Sequence, residues 1–192
     1  MVARTASEAA AYNIEKMGAA LGSQYSALWQ EVATIHFHWS EFKELFHNKK
    51  SRIDLLNKSA GRFFRMVQDG LWEGTLLHIA RLTDAPHTGS KDRSNLSVQN
   101  LSALISDANL KAQVEKLAKV AVKDAAFCRD WRNRRIAHRD LGLALNASAK
   151  PLADASVKQV DASLNAIVAI MNAVDAHYCD SETRYDLGPV FS

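Results

Sequence analysis

The 192 residues of this chain include only three prolines and eight glycines. So few turn-forming residues disfavour a strand-and-turn architecture and favour an all-α fold. No apolar run approaches the roughly 18 to 20 residues that a membrane span requires, and the N-terminal stretch has no apolar segment typical of a signal peptide. We therefore expect no membrane association and a cytoplasmic protein.

Cysteine is also scarce. Cys128 and Cys179 lie far apart, and neither has a second cysteine at metal-binding spacing. This excludes a disulfide scaffold and a zinc knuckle, and predicts two small core residues. The formal net charge of +3 is too small to indicate a nucleic-acid binder by itself, so the distribution of charge carries the information.

Apolar residues at steps of three and four predict a succession of amphipathic helices. The chain is long enough for one domain with its own core, and we predict a single up-and-down helical bundle of about five or six helices over residues 1–192. Its expected parts are an N-terminal helical hairpin over about 6–48, a motif-bearing core over about 51–140 and a C-terminal helix over about 154–178.

Glycines and capping residues predict the breaks within the first helices. Gly22 and Ser23 are expected to end the first helix and cap the second. The next helix, over about 51–83, contains glycines that are tolerated if it kinks near Gly70 or packs closely at Gly74.

Loop-forming and capping residues also predict the helix boundaries in the second half of the chain. Residues 85–95 are rich in Pro, Gly, Ser and charge, which predicts a surface loop before a short helix over about 97–107, capped by Asn95 or Ser97. A long helix is expected from about Asn109 to Arg139, and the last helix is expected to begin at a cap on Asp154.

The densest charge in the chain is "WRNRRIAHRD", from Trp131 to Asp140. On the long helix, Arg132 and Arg135 continue an apolar stripe, where an unpaired guanidinium is costly. The helix dipole stabilises cations near a C-terminus by about 0.3 to 1 kcal/mol each, which does not account for all the arginines. Either the helix leaves the core there or it meets an anion; pairing of Arg132 with Asp84 or Glu73 within one chain would favour a structural role.

Part of this segment, "RNRRIAH", resembles the motif of the HEPN superfamily, in which an Arg is followed by a polar residue and, a few positions later, a His. The matching residues are Arg132, Asn133 and His138. The segments "IARLTDAP" (79–86) and "NLSVQNL" (95–101) resemble the abortive-infection AbiU-type branch, in which an apolar-x-x-Asp helix end, a variable loop and an Asn-Leu-Ser helix start precede the motif helix. The resemblance covers about residues 71–140.

This resemblance implies a metal-independent endoribonuclease that needs no cofactor and acts as a homodimer in phage defence or a toxin-antitoxin system. Attack by the 2'-hydroxyl of RNA requires a proton acceptor, a proton donor and positive charge at the phosphorane. His138 fits proton transfer, Arg132 fits phosphate binding and Asn133 fits orientation of either group. A second copy would supply a second His138, and a nucleotidyltransferase-type antitoxin is an implied partner.

The neighbouring arginines are predicted to contact RNA phosphates without sequence preference. They are Arg129, Arg134, Arg135 and Arg139. A regular helix would set Arg132 and His138 about 120° apart, whereas Arg134 and His138 share a face. Three explanations remain open: a site shared across the dimer, a helix that loosens before His138, or Arg134 as the working partner.

Other interpretations compete with the nuclease. His138 also fits a helix cap or a partner of Asp84. The chain also fits a non-catalytic HEPN module that binds RNA, a nucleotide or a partner protein, or a purely structural helical dimer. His36 and His38 point apart on a helix, and Glu44 and His47 form half of a di-iron pattern without a second copy, so we predict no metal site. The aromatic residues at helical spacing are predicted to lie in the core: Trp29, Trp39, Phe42, Phe46, Phe63 and Phe64.

Overall fold

The computed structural model describes residues 4–47, 49–87, 94–145 and 150–185. These residues form eight α-helices and no β-strand, which confirms the all-α prediction. The helices are α1 Ala6–Met17, α2 Ala19–Phe46, α3 Lys50–Leu82, α4 Leu101–Leu104, α5 Ala108–Asp124, α6 Ala126–Trp131, α7 Leu141–Ala144 and α8 Val157–Cys179. A 3₁₀ turn (Val98–Asn100) precedes α4, and a π-helical turn (Arg132–Ile136) follows α6. None of the described helices has the length and apolar character needed to cross a membrane.

The break between the first two helices lies at Gly18, so the predicted break at Gly22 and Ser23 is wrong. Gly18 has φ 83°, a conformation that glycine adopts without steric cost. Gly22 instead lies inside α2, where a Cβ atom would come within 2.5 Å of the carbonyl oxygen of Asn13. Because Gly22 has no Cβ atom, the backbones of α1 and α2 can approach closely.

The kink in α3 lies at Ala60, whose φ and ψ are −157° and 62°. The predicted kink near Gly70 is wrong, because the non-helical dihedrals within α3 lie at Ala60. The predicted close packing at Gly74 is also wrong, because a Cβ atom there would have no neighbour within 4 Å. The N-terminal half of α3 also exposes Phe63, contrary to its predicted place in the core.

The predicted long helix is interrupted at Ala125, where φ −82° and ψ 5° separate α5 from α6. The change of direction lets α5 pack on α8 while α6 packs on α3. After α6 the helix ends at Ile136 rather than at Arg139. The last helix begins at Val157 with Ser156 as its cap, so the predicted cap at Asp154 is also wrong.

The core is formed by the facing sides of α2, α3, α5 and α8. Cys128 on α6 is fully buried, and burial raises the pKa of its thiol to about 12. Cys179 is half-buried, and both cysteines are free thiols. The core therefore brings the C-terminal end of α3 against α6, where the charged segment begins.

Candidate functional site

A cleft of about 790 Å³ lies between the C-terminal end of α3, the 3₁₀ turn and the end of α6. Its polar lining includes Asp84, Gln99, Arg129, Arg132, Asn133 and His138. Three of the motif residues, Arg132, Asn133 and His138, thus line one depression. The cleft combines two guanidinium groups, two imidazoles (His138 and His87) and one carboxylate, which suits an anionic ligand.

Arg132 forms an ion pair with Asp84 inside the cleft. Nη1 of Arg132 donates to both carboxylate oxygens, at 2.7 and 2.6 Å, and Nε donates to Oδ1 of Asn133 at 3.0 Å. The two charged side chains are 23% and 21% exposed, so the pair is only partly screened by water. No described residue accepts a hydrogen bond from Nη2 of Arg132, so its N–H groups are available to an acceptor from outside the described residues.

The backbone around Asp84 is held by side chains from the start of the 3₁₀ turn. The hydroxyl of Ser97 donates to the carbonyl oxygens of Leu82 (3.1 Å) and Asp84 (2.6 Å). Nε2 of Gln99 donates to the carbonyl oxygens of Thr83 and Asp84, both at 2.9 Å. Ser97 also caps the 3₁₀ turn, as one of the two predicted caps. These contacts satisfy the last carbonyl groups of α3 and set the position of the Asp84 carboxylate.

Arg129 is anchored to the wall of the cleft. Its Nη1 donates to Oγ1 of Thr83 at 3.0 Å, and its Nη2 donates to the carbonyl oxygen of Val122. Burial lowers the pKa of the Arg129 guanidinium, the charge of Asp84 opposes this shift, and the charge of Arg132 adds to it. Arg129 therefore contributes positive charge to the cleft from a largely fixed position.

The helix widens before His138. The amide of Ala137 donates to the carbonyl oxygen of Arg132 at 2.8 Å, a bond from residue i+5 to residue i that defines a π-helical turn. Ala137 and His138 lie in a bend after this turn, so the 120° separation of a regular helix does not apply. The loosening of the helix that the spacing left open as one explanation is therefore present in this chain. His138 is exposed and has no hydrogen-bond or ion-pair partner among the described residues, so it is not the partner of Asp84.

Arg134 faces away from this cleft into a smaller one of about 260 Å³. Its Nη atoms donate to the carbonyl oxygens of Pro151 (3.2 Å) and Lys150 (2.5 Å). It also forms ion pairs with Asp130 and Asp140, at 3.5 and 3.7 Å. Arg134 thus ties the end of α6 to the segment that leads into α8, and does not share a cleft with His138.

The two remaining arginines of the segment border the smaller cleft. Arg135 forms an ion pair with Glu73 at 3.0 Å, and its guanidinium lies 5.5 Å from the centre of the Trp131 ring. The Arg135 side chain is 55% exposed, so it leaves the apolar stripe on which the sequence placed it. Arg139 is exposed and has no ion-pair partner within the described residues.

A comparison with models of protein families matches residues 18–190 to the HEPN domain of the AbiU2 family. The chain belongs to the AbiU2 family of HEPN proteins. No curated protein and no solved structure gives a significant match. Membership in the AbiU2 family suggests a role in abortive-infection phage defence.

The sequence interpretation of this AbiU2 protein missed the groups that hold the cleft together. Thr83 and Gln99 were not predicted to take part, and Ser97 was predicted only as a helix cap, although Ser97 and Gln99 lie within the segment "NLSVQNL" that carries the resemblance. Asp84 was considered as a partner for Arg132 or for His138, and it pairs with Arg132. Among the described residues, no group of three or more His, Cys, Asp or Glu side chains is arranged to hold a metal ion.

Proposed function

We propose that this protein is a metal-independent endoribonuclease that acts as a homodimer in phage defence or a toxin-antitoxin system. The observation that carries the proposal is the shared cleft of Arg132, Asn133 and His138, in which His138 is exposed and unpaired among the described residues. An unpaired imidazole can exchange a proton with substrate, and a charged guanidinium beside it can bind a phosphate.

In the proposed reaction, the 2'-oxygen of RNA attacks the adjacent phosphorus while the bond from phosphorus to the 5'-oxygen breaks. His138 accepts the proton of the 2'-hydroxyl, and Nη2 of Arg132 binds a non-bridging oxygen of the phosphorane. A proton must also reach the leaving 5'-oxygen, and a protonated His138 of a second copy supplies it. The products are a 2',3'-cyclic phosphate and a 5'-hydroxyl.

Asp84 has a defined place in this proposal. Its carboxylate holds Nη1 of Arg132, and Asn133 holds Nε, so the guanidinium is oriented before substrate arrives. Nη2 remains free to donate to phosphate, since an arginine has five N–H donors. Pre-organisation of this kind lowers the cost of binding the developing charge.

The test incubates purified protein with labelled single-stranded RNA in EDTA. We expect cleavage by the wild type and its loss in His138→Ala, with an unchanged circular dichroism spectrum. His177→Ala is the matched control, because this exposed histidine lies on α8 and does not line the cleft. A wild type that cuts no RNA, or cuts only with added metal, contradicts the mechanism. Sedimentation of the active species tests the dimer, and cleavage by a monomer contradicts that part.

The second candidate is a non-catalytic HEPN module that binds RNA, a nucleotide or a partner protein. The ion pair of Arg132 with Asp84 within one chain favours a structural role for Arg132, and thereby a chain that does not cut RNA, because the pair neutralises the motif arginine without any ligand. A mobility-shift assay separates the two: the module binds RNA without cutting it, and His138→Ala leaves that binding unchanged.

A nucleotidyltransferase-type protein is the proposed antitoxin, the partner that the resemblance of the motif segment implies. The test expresses the chain in bacteria with and without such a protein. We expect growth arrest by the chain alone and recovery with the partner. Arrest that is equal with and without it contradicts the pairing.

A further inference from the structure

A second cavity, of about 500 Å³, lies on a different part of the molecule from the HEPN motif. It is enclosed by α1, α2, the C-terminal end of α8 and the segment that follows α8. The volume is within the range of small-molecule sites, which hold a few polar groups within apolar walls. Neither the motif chemistry nor the proposed function uses this cavity.

The cavity contains a buried carboxylate without a cationic partner. Asp175 is 7% exposed, and it lines the cavity. The hydroxyl of Thr183 donates to its Oδ2 at 3.2 Å, and the thiol of Cys179 is a second hydrogen-bond partner of the carboxylate. No Lys, Arg or His nitrogen of the described residues comes within 4.0 Å of it. Burial of a carboxylate is costly unless donors or a cation compensate it, and a neutral hydroxyl and a thiol, which is a weak donor, compensate it less than a cation would.

The surroundings keep Thr183 and Asp175 together. The side chain of Asn172 donates to the carbonyl oxygen of Thr183 at 3.2 Å and accepts from its amide at 3.1 Å. Nε1 of Trp29 donates to the Thr183 hydroxyl at 3.4 Å. The negative charge of Asp175 adds to burial in raising the pKa of both Tyr25 and Tyr185. The segment after α8 is therefore fixed against the carboxylate by a defined set of contacts.

The walls of the cavity are aromatic. Tyr12, Tyr25 and Trp29 line it, and Tyr25 is almost completely buried. At the cavity wall the guanidinium of Arg4 already lies 4.0 Å from the centre of the Tyr12 ring. A planar cation is thus accommodated on this ring by the chain itself. Aromatic rings around a buried carboxylate are the combination that recognises organic cations.

We propose that this cavity binds a small organic cation, an amidinium or ammonium group on a flat apolar body, with Asp175 as its counter-ion. The cationic group donates to the carboxylate oxygen that Thr183 leaves free, and the apolar body packs against Trp29 and Tyr25. Such a ligand places a cation in direct contact with Asp175, whereas Arg4, the cation at the cavity wall, lies on the Tyr12 ring and forms no ion pair with this carboxylate.

Calorimetric titration of the full chain tests the proposal with two probes of the same shape, benzamidine, which is charged, and benzamide, which is neutral. We expect benzamidine to bind at least about tenfold more tightly, as a charge-assisted hydrogen bond implies. Asp175→Asn should remove that preference, whereas Asp180→Asn should retain it, because Asp180 is exposed just beyond α8. Equal binding of the two probes, unchanged binding to Asp175→Asn, or no saturable binding at millimolar benzamidine overturns the proposal.

Thermal melting provides a second measurement, with and without ligand. Without ligand, Asp175→Asn should melt at or above the wild-type temperature, because it removes a buried charge that lacks a cation. Benzamidine should raise the melting temperature of the wild type and leave that of Asp175→Asn unchanged. A lower melting temperature for unliganded Asp175→Asn would show that the chain itself compensates the carboxylate, and would overturn the proposal.

Discussion

Nη1 of Arg132 lies 2.7 and 2.6 Å from the two carboxylate oxygens of Asp84, although the two residues are 48 positions apart in the chain. The pair joins the end of α3 to the end of α6 across the floor of the cleft. Its consequences for stability can be separated from its consequences for RNA chemistry.

Replacement of Asp84 by Ala should lower the free energy of unfolding by about 1–3 kcal/mol, since it leaves a mostly buried guanidinium without its partner. Asp69→Ala is the matched control, because Asp69 pairs with Arg65 on the surface of α3, where the side chains are 55% and 73% exposed. That variant should change stability by less than about 0.5 kcal/mol. Urea denaturation measures both changes in the free energy of unfolding. Equal losses in the two variants would contradict a larger stabilising contribution from the ion pair of Asp84.

Arg134 and Arg139 should behave differently when each is replaced by Ala. Arg134→Ala removes contacts to Lys150 and Pro151 and should destabilise the protein by about 1–3 kcal/mol. Arg139→Ala should leave stability unchanged. It should weaken RNA binding equally for all RNA sequences, and the slope of the logarithm of the binding constant against the logarithm of the salt concentration should decrease in magnitude by about one. Denaturation and salt-dependent binding measure the two effects. A stability loss on removing Arg139 would contradict the distinction.

Gly22→Ala should be strongly destabilising, by about 2 kcal/mol or more, because the new Cβ would lie 2.5 Å from the carbonyl oxygen of Asn13. Gly74→Ala provides the control, since its Cβ would meet no atom within 4 Å. Within a helix that substitution should stabilise the protein by about 0.5–1 kcal/mol. Thermal melts of the two variants should therefore shift in opposite directions, and shifts of the same sign would contradict this close approach of α1 and α2.

His78 should make stability depend on pH. Burial lowers the pKa of its imidazole below the ordinary value of 6.5, even though Nε2 lies 2.6 Å from a carboxylate oxygen of Glu31. The unfolded chain therefore binds this proton more readily, so stability is fully present above about pH 6.5 and falls as the pH decreases below it.

The measurement is the free energy of unfolding at about pH 7.5 and about pH 5. His78→Gln should lose less stability than the wild type over this interval, since Gln cannot ionise. His177→Gln removes an exposed histidine instead and should retain the wild-type difference. An identical pH dependence in His78→Gln and the wild type would contradict the assignment.

Helix identity could be predicted from the sequence because apolar residues recur at the helical period over long stretches. Boundaries could not, because they depend on contacts between helices. Gly18 and Gly22 are both glycines in a helical stretch and cannot be told apart from the sequence. Gly18 ends a helix, whereas Gly22 permits the backbones of α1 and α2 to touch. The interruption at Ala125 has no local signal, since Ala favours a continuous helix and the turn follows from packing on both α3 and α8.

For the cleft, the motif spacing identified Arg132, Asn133 and His138, and the structure brings them to one surface. The motif spacing could not reveal the π-helical turn, because hydrogen bonds from residue i+5 to residue i leave no compositional trace. It also could not distribute five arginines among their partners. Arg134 is bound to backbone carbonyls of residues that are distant in the sequence, a contact that only the folded chain defines.

Hydrogen bonds at the end of α3 fix the backbone around Asp84 independently of the connection between Pro86 and Asn95. The amide of Asn95 donates to the carbonyl oxygen of Pro86 at 2.9 Å, and Nδ2 of Asn95 donates to the carbonyl oxygen of Ala85 at 2.8 Å, which closes the connection at its base. Ser97 and Gln99 hold the backbone on the cleft side of that closure. We therefore expect that changes of length or composition between His87 and Ser94, in evolution or by grafting of a peptide, leave in place the carboxylate that orients Arg132.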